Sequence, residues 1–213
     1  MASPFDLTIT DELLSTTRAV RKRLDKERPV EREVLLDCVR LSQQAPTGSN
    51  NQSWRWVVVT DAAKRAALAA LYKELASQYL ELARSQIGDG DAQTHRVYDS
   101  AFYLVDHLAD IPVHVIPCVE GRLPDGSGNA MSAAFYGSIF PAVWSFQIAL
   151  RSRGLGSVIT TLHLFKEQEV AKLLGIPDGV SQVALLPVAY TVGTDFKHAD
   201  RPSPETITHF DSW

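Results

Sequence analysis

Several short signatures that would decide the chemistry at once are missing. No Gly-x-Gly-x-x-Gly follows a strand pattern. The run Gly126-Ser127-Gly128-Asn129-Ala130-Met131 fails at the third glycine, which argues against a resident dinucleotide fold. There is no phosphate-loop lysine motif and no Gly-x-Ser-x-Gly elbow. Cysteine is scarce: Cys38 and Cys118 fall in apolar patterns and read as buried hydrophobes rather than a disulfide or metal pair. His95, His107, His114, His163, His198 and His209 never pair at ligand spacing with one another or with a cysteine, so no metal site is expected. A lone strand histidine such as His114 reads as a packed, hydrogen-bonded residue.

A dominant charge is also lacking. With 21 Lys and Arg against 25 Asp and Glu, the formal net charge is −4, and no broad basic field exists for nucleic acid or an anionic membrane. The N-terminus has no basic region followed by an apolar run, and no uninterrupted apolar stretch reaches the roughly 18 residues of a spanning helix. The expectation is a cytoplasmic protein with neither nucleic acid nor membrane as partner. What is present is 45% apolar residues in a chain of 213, enough for a packed core. One domain over 1–213 is expected, since no repeat or separating linker is visible.

Apolar spacing predicts a first helix over 11–23, capped by Thr10, with Arg18, Arg21, Lys22 and Arg23 in its last turns. A second follows over 30–41, starting near Glu31 after Pro29. Residues 54–59 read as a buried strand, 62–84 as a long helix capped by Thr60 or Asp61, 85–94 as a mobile loop and 96–108 as an amphipathic helix. A central strand is expected over 111–119, its prolines Pro112 and Pro117 near its ends. The stretch 131–150 is apolar almost all round and reads as a helix buried on most sides, kinked or staggered at Pro141. A short strand over 157–162, a helix over 165–174 closed by Gly175 and Pro177, a strand over 180–191 and a polar, proline-rich tail over 195–213 complete the chain.

Between the second helix and the first strand stand Ala45-Pro46-Thr47-Gly48-Ser49-Asn50-Asn51-Gln52-Ser53-Trp54. Ten residues dense in hydroxyls and carboxamides exceed what a plain helix-to-strand connection needs. One reading is a polar connection with turn chemistry at Pro46 and Gly48; the other is a loop that holds a ligand. The run resembles the Ala-Pro-Ser-x-x-Asn-x-Gln-Pro-Trp signature of the nitroreductase family of FMN-dependent oxidoreductases. Thr47 stands for the usual serine and keeps its hydroxyl; Ser53 stands for the usual proline.

Three further segments resemble the same family, in order, out to the C-terminus. Thr17-Arg18-Ala19-Val20-Arg21 is similar to its Arg-Arg-Ser-x-Arg run, with Thr17 where arginine and Ala19 where serine is common, so two phosphate donors are weakened or missing. Gly154-Leu155-Gly156-Ser157 resembles its Gly-Leu-Gly-Ser/Thr segment. The Thr160-Thr161 pair after it resembles the branch containing the iodotyrosine deiodinases, in which a threonine hydroxyl lies near flavin N5. Gly175-Ile176-Pro177, Leu185-Leu186-Pro187-Val188-Ala189-Tyr190 and Arg201-Pro202 resemble the family's ending, Ala189 replacing a usual glycine.

The resemblance implies an α+β nitroreductase-like fold, a central mixed β-sheet flanked by helices, in an intertwined homodimer with two FMN sites at its interface. It assigns Arg18, Ala19, Val20, Arg21, Gly156, Ser157, Thr160, Thr161 and Arg201 to FMN. Arg18 and Arg201 would meet the phosphate, Arg21 the pyrimidine edge, and Thr160 or Thr161 would lie near N5. Pro46, Thr47, Gly48 and Asn50 would contact the flavin of the other protomer. FMN is dianionic at its phosphate and gains charge near N1 and O2 on reduction, so a cation at each end is chemically sensible. The implied activity is hydride transfer from NADH or NADPH to a small organic acceptor, a nitroaromatic or quinone, by a ping-pong mechanism with no obligatory side-chain acid or base. The segment 71–106, with Tyr72, Tyr79, Tyr98, Phe102 and Tyr103, would cover the substrate, although such spacing also suits a core. Alternatives left open are a flavin-binding or sensing protein with little turnover, dehalogenating or flavin-fragmenting chemistry on the same scaffold, and a deazaflavin in place of FMN.

Overall fold

The computed structural model describes residues 4–87 and 91–213. At its centre lies a 5-stranded sheet in which β1 (Trp54–Val59), β2 (Val113–Glu120), β5 (Leu186–Tyr190) and β3 (Leu155–Ser157) follow one another, and β4 (Val180–Gln182) also pairs with β2. β2 is buried along all but Glu120, and its period of two divides it between two cores. Val113, Val115 and Val119 pack with Leu35, Val143 and Phe146, from α2 (Arg32–Ser42) and α6 (Phe140–Arg151). Ile116 and Cys118 pack with Leu68, Leu104 and Val170, from α3 (Ala62–Arg84), α4 (Ala92–His107) and α7 (Glu167–Leu174). The result is a three-layer arrangement, helices on both faces of a sheet. Both cysteines are buried as expected, and burial pushes the thiols of Cys38 and Cys118 up to about 11 and about 12.

The sheet expected to be mixed is antiparallel in each ladder among the described residues, and parallel pairing enters only at the isolated bridges Ala19–Ser157 and Gly121–Val180. The strand expected over 180–191 is two. Cys118 faces Gln182 and Val115 faces Leu186, so three steps along β2 are matched by four on its partner, the signature of a bulge. It forms where Pro117 has no N–H to give; Pro117 still accepts from Val183 N at 3.0 Å. The bulge frees Leu185 to exchange both backbone hydrogen bonds with Thr160, at 2.8 and 3.0 Å. The strand expected over 157–162 lies instead at Leu155–Ser157 and stops because the next bonded pair would set Val158 against Pro187, which cannot donate.

Helix boundaries shift as well. α1 runs Leu7–Thr16 rather than 11–23, because the Asp6 carboxylate accepts from Ile9 N at 3.2 Å and caps it earlier than Thr10 would. It ends at Thr16 because the following residues are drawn out toward β3, where Val20 N donates to Ser157 O at 2.9 Å. The stretch 131–150 is two helices, α5 (Asn129–Gly137) and α6, with Pro141 in the first turn of the second. By length and composition Asn129–Arg151 is apolar enough to cross a bilayer, although, as expected, it is no uninterrupted apolar run: Ser132, Gly137, Ser138, Ser145 and Gln147 break it. Here Ile139, Val143, Phe146 and Leu150 lie in the first core. α5, expected to be buried, has no buried residue, and Met131 and Tyr136 are 53% and 42% exposed. Of the loop expected over 85–94, residues 88–90 lie outside the described residues, and α4 begins at Ala92, capped by Asp91.

Candidate functional site

Because Thr17 adopts extended geometry, Arg18 and Arg21 do not share a helix face as expected; they lie on the segment that Ala19 ties to β3. They converge nonetheless. A cleft of about 990 Å³ is lined by Thr17, Arg18, Ala19 and Arg21, by Gln93, Arg96, Val97 and Ser100 of α4, by Trp144 of α6, and by His198, Asp200 and Arg201 of the tail. Asp200 is its acidic member. Arg18 donates to the carbonyl of Lys197 at 2.7 Å, Arg21 to Ser100 Oγ at 3.1 Å and Arg201 to the carbonyl of Asp200 at 2.9 Å. None of Arg18, Arg21, Arg96 or Arg201 forms a carboxylate ion pair among the described residues. Burial pushes the Arg21 guanidinium below its ordinary value. Four cations in one concavity repel one another, and that arrangement fits an anionic ligand that would neutralise them.

The other expected residues divide into two groups. Val20 and Ser157 are buried against each other's backbone, and Ser157 Oγ accepts from Gln147 Nε2 at 2.9 Å. Gly156 has no room for a side chain: a Cβ there would sit 2.7 Å from Thr191 Cγ2 and 2.9 Å from Val20 Cβ. Its glycine is required by packing, which lets the Arg18–Arg21 segment lie flat on β3. Thr160 Oγ1 lies 3.0 Å from the hydroxyl of buried Tyr72, whose pKa burial raises against the pull of that hydrogen bond and of the Arg21 charge. Thr161 is exposed at the start of the next turn. Neither threonine lines the cleft.

The loop that carries Pro46, Thr47, Gly48 and Asn50 lies elsewhere. Ser49, Asn50 and Gln52 all have positive φ, at 52°, 54° and 48°. Three non-glycine residues in that region cost strain, which side-chain bonds offset. Thr47 Oγ1 accepts from Gln52 N at 3.2 Å and Asn50 Oδ1 from Gln52 Nε2 at 3.0 Å. Gly48 N donates to Ser138 Oγ at 2.9 Å, which fastens the loop to the joint between α5 and α6. Trp54, at the loop's end, faces Val119, whereas Ser157, beside Ala19, faces Val188, which faces Val113. Six residues along the strands and three strand spacings across them put the loop and the arginines at opposite corners of the sheet, about 25 Å apart. One protomer therefore does not bring all the expected residues together.

Residues 14–190, from Leu14 in the cleft wall to Tyr190 at the end of β5, match the family described as the Nitroreductase family. This chain belongs to the nitroreductase family. An iodotyrosine deiodinase from Thermotoga neapolitana is 24% identical over 200 residues, which cover 94% of this chain and 97% of that relative. Among solved structures, an oxidised iodotyrosine deiodinase bound to FMN and 3-iodo-L-tyrosine matches with a TM-score of 0.72 at 24% identity, covering 95% of this chain and 99% of that one. An FMN-dependent nitroreductase from Mycobacterium smegmatis in complex with NADPH matches with a TM-score of 0.69 at 18% identity, covering 97% and 100%. At these identities the likeness shows the nitroreductase fold.

Within that fold the sequence reading missed one wall of the cleft. Gln93, Arg96, Val97 and Ser100 stand at i, i+3, i+4 and i+7 on α4 and form one stripe. A polar stripe also marks any surface helix, so spacing alone did not distinguish it. Of the aromatics proposed to cover substrate, Tyr72 is buried in the second core and Tyr98 and Phe102 pack against it, while Tyr79 is half exposed beside Phe165.

Proposed function

We propose that this nitroreductase-family member is an FMN-dependent oxidoreductase that takes hydride from NADH or NADPH and passes it to a small organic acceptor in a ping-pong cycle. The observation that carries the reading is the cleft in which Arg18, Arg21 and Arg201 converge without carboxylate partners. These are the positions whose family counterparts hold the flavin. Arg18 and Arg201 would neutralise the phosphate, and half-buried Arg21 would hold the charge that reduction adds at the far end. When bound, FMN supplies the two-electron hydride chemistry. The residues of this chain orient and balance charge.

The functional unit we propose is a homodimer. The Pro46–Asn50 positions lie a full sheet away from the arginines of their own chain, and α5 is apolar yet unburied. A partner's loop placed over the arginine cleft would complete the site and cover that helix at once. Mixing the purified protein anaerobically with NADH or NADPH tests the activity: the flavin absorbance should bleach, and adding a nitroaromatic or quinone should restore it. A flavin that neither nucleotide reduces would point to a binding or sensing role.

The deiodinase relative favours one second reading. In it the acceptor is a halogenated aromatic, two electrons and a proton replace carbon–halogen by carbon–hydrogen, and halide leaves. Halide release measured beside nitro reduction separates the two.

A further inference from the structure

We propose that Arg96 of α4 is a phosphate-binding residue that takes over the donor role left open at Thr17 and Ala19, an inference that rests on the FMN reading above. The family's first segment commonly carries an arginine where Thr17 stands and a serine where Ala19 stands. Thr17 cannot act as a substitute donor, because its hydroxyl donates to the carbonyl of Leu13 at 2.6 Å. Ala19 has no donor to offer. Yet both line the cleft, so the wall that should hold an anion has lost two of its donors.

α4 faces that gap. Gln93 Oε1 accepts from Asp200 N at 3.2 Å, which fastens the start of the helix beside Arg201. Two turns on, Ser100 Oγ accepts from Arg21 at 3.1 Å. Arg96 stands between these ties on the same stripe, about 4.5 Å along the axis from Gln93 and about 6 Å from Ser100. It therefore lines the cleft between those two ties, in the same lining as Arg18. A solvated surface arginine on a helix would normally answer to a carboxylate one turn away. Here Asp99 is paired with Arg84 at 3.1 Å, and Asp91 caps Thr94 N at 2.8 Å and feels the Arg96 charge only from beyond ion-pair distance. Arg96 has no ion-pair partner among the described residues and lines the cleft beside three other arginines.

The recognised chemistry is a phosphomonoester dianion, which distinguishes this role from contact with an uncharged ring. The test titrates the intact apoprotein with FMN and, separately, with riboflavin, which lacks the phosphate, and follows quenching of flavin fluorescence. Arg96→Ala should weaken FMN about tenfold or more, the range for a hydrogen bond to a charged group, and leave riboflavin affinity unchanged. Arg96→Gln, which keeps the side chain's length, should behave likewise. Adding Thr17→Arg to Arg96→Ala should restore FMN affinity, since a cation returns to the cleft from the facing segment.

FMN affinity that stays within about twofold in Arg96→Ala, while Arg18→Ala and Arg201→Ala lose it, overturns the assignment and leaves the cofactor reading standing. Equal losses for FMN and riboflavin overturn it in favour of a structural role. If none of the three arginine variants changes FMN affinity, the cofactor reading itself fails and takes this inference with it.

Discussion

His163 is fully buried, and neither ring nitrogen has a hydrogen-bond partner among the described residues. His114 is as deeply buried but has one partner, the carbonyl of Leu108 at 2.8 Å from Nε2. Burial holds both imidazoles at about 4, against an ordinary 6.5. Between those values the unfolded chain binds protons that the folded chain refuses, so stability is intact above about 6.5 and is lost as pH falls toward 4, by on the order of 3 kcal/mol for each histidine. The denaturation midpoint should therefore drop steeply across that window, and His163→Gln should flatten the slope. A variant with the wild-type pH profile would remove His163 from the account. Gly156 carries a second residue-scale expectation. A methyl there meets Val20 and Thr191 below 3 Å, so Gly156→Ala should cost about 1–3 kcal/mol in chemical denaturation. If instead only a bound ligand needs that glycine, apoprotein stability will not change.

At the scale of elements, Ser138 is the joint on which the loop, β1 and the two apolar helices meet. Its hydroxyl accepts from Gly48 N at 2.9 Å and donates to the carbonyl of Ala134 at 2.7 Å, while its own carbonyl accepts from Trp54 Nε1 at 2.8 Å. Ser138→Ala keeps the last bond and removes the first two. Stability should fall by about 1 kcal/mol. FMN affinity should fall as well, because the loop with its three left-handed residues loses its anchor. Unchanged FMN affinity alongside reduced stability would separate the joint from the site. The element-scale misreadings share a cause. The helix expected over 11–23 loses its second half to β3, and the strand expected over 180–191 bulges opposite Pro117. In both, a pairing partner far along the chain outweighs the local pattern.

For the whole molecule, the question is what covers α5. Met131 and Tyr136 are exposed, and Trp144 of α6, 43% exposed, lines the arginine cleft. A second copy that buried this face and presented its Pro46–Asn50 loop would satisfy both the apolar surface and the shared site we propose. Sedimentation should show a dimer, and Tyr136→Asp should yield a monomer that no longer retains flavin. A monomer holding FMN at full occupancy would sink the shared site.

Local order determined much of this protein. The six-residue strand at Trp54, the long α3, the left-handed stop at Gly175 and the buried cysteines follow from side-chain periodicity and backbone preference within a few residues, which the chain carries wherever it folds. The family, and with it the arginines and the hydroxyl-rich loop, was legible because those residues stand in short runs. Only the tertiary structure decided that Arg18 and Arg21 lie on an extended segment against β3, that Arg96 joins them from α4, and that the loop sits at the far corner of the sheet. Each depends on strand register and on contacts between residues tens of positions apart, and spacing along the chain does not encode a pairing whose two halves look ordinary by themselves.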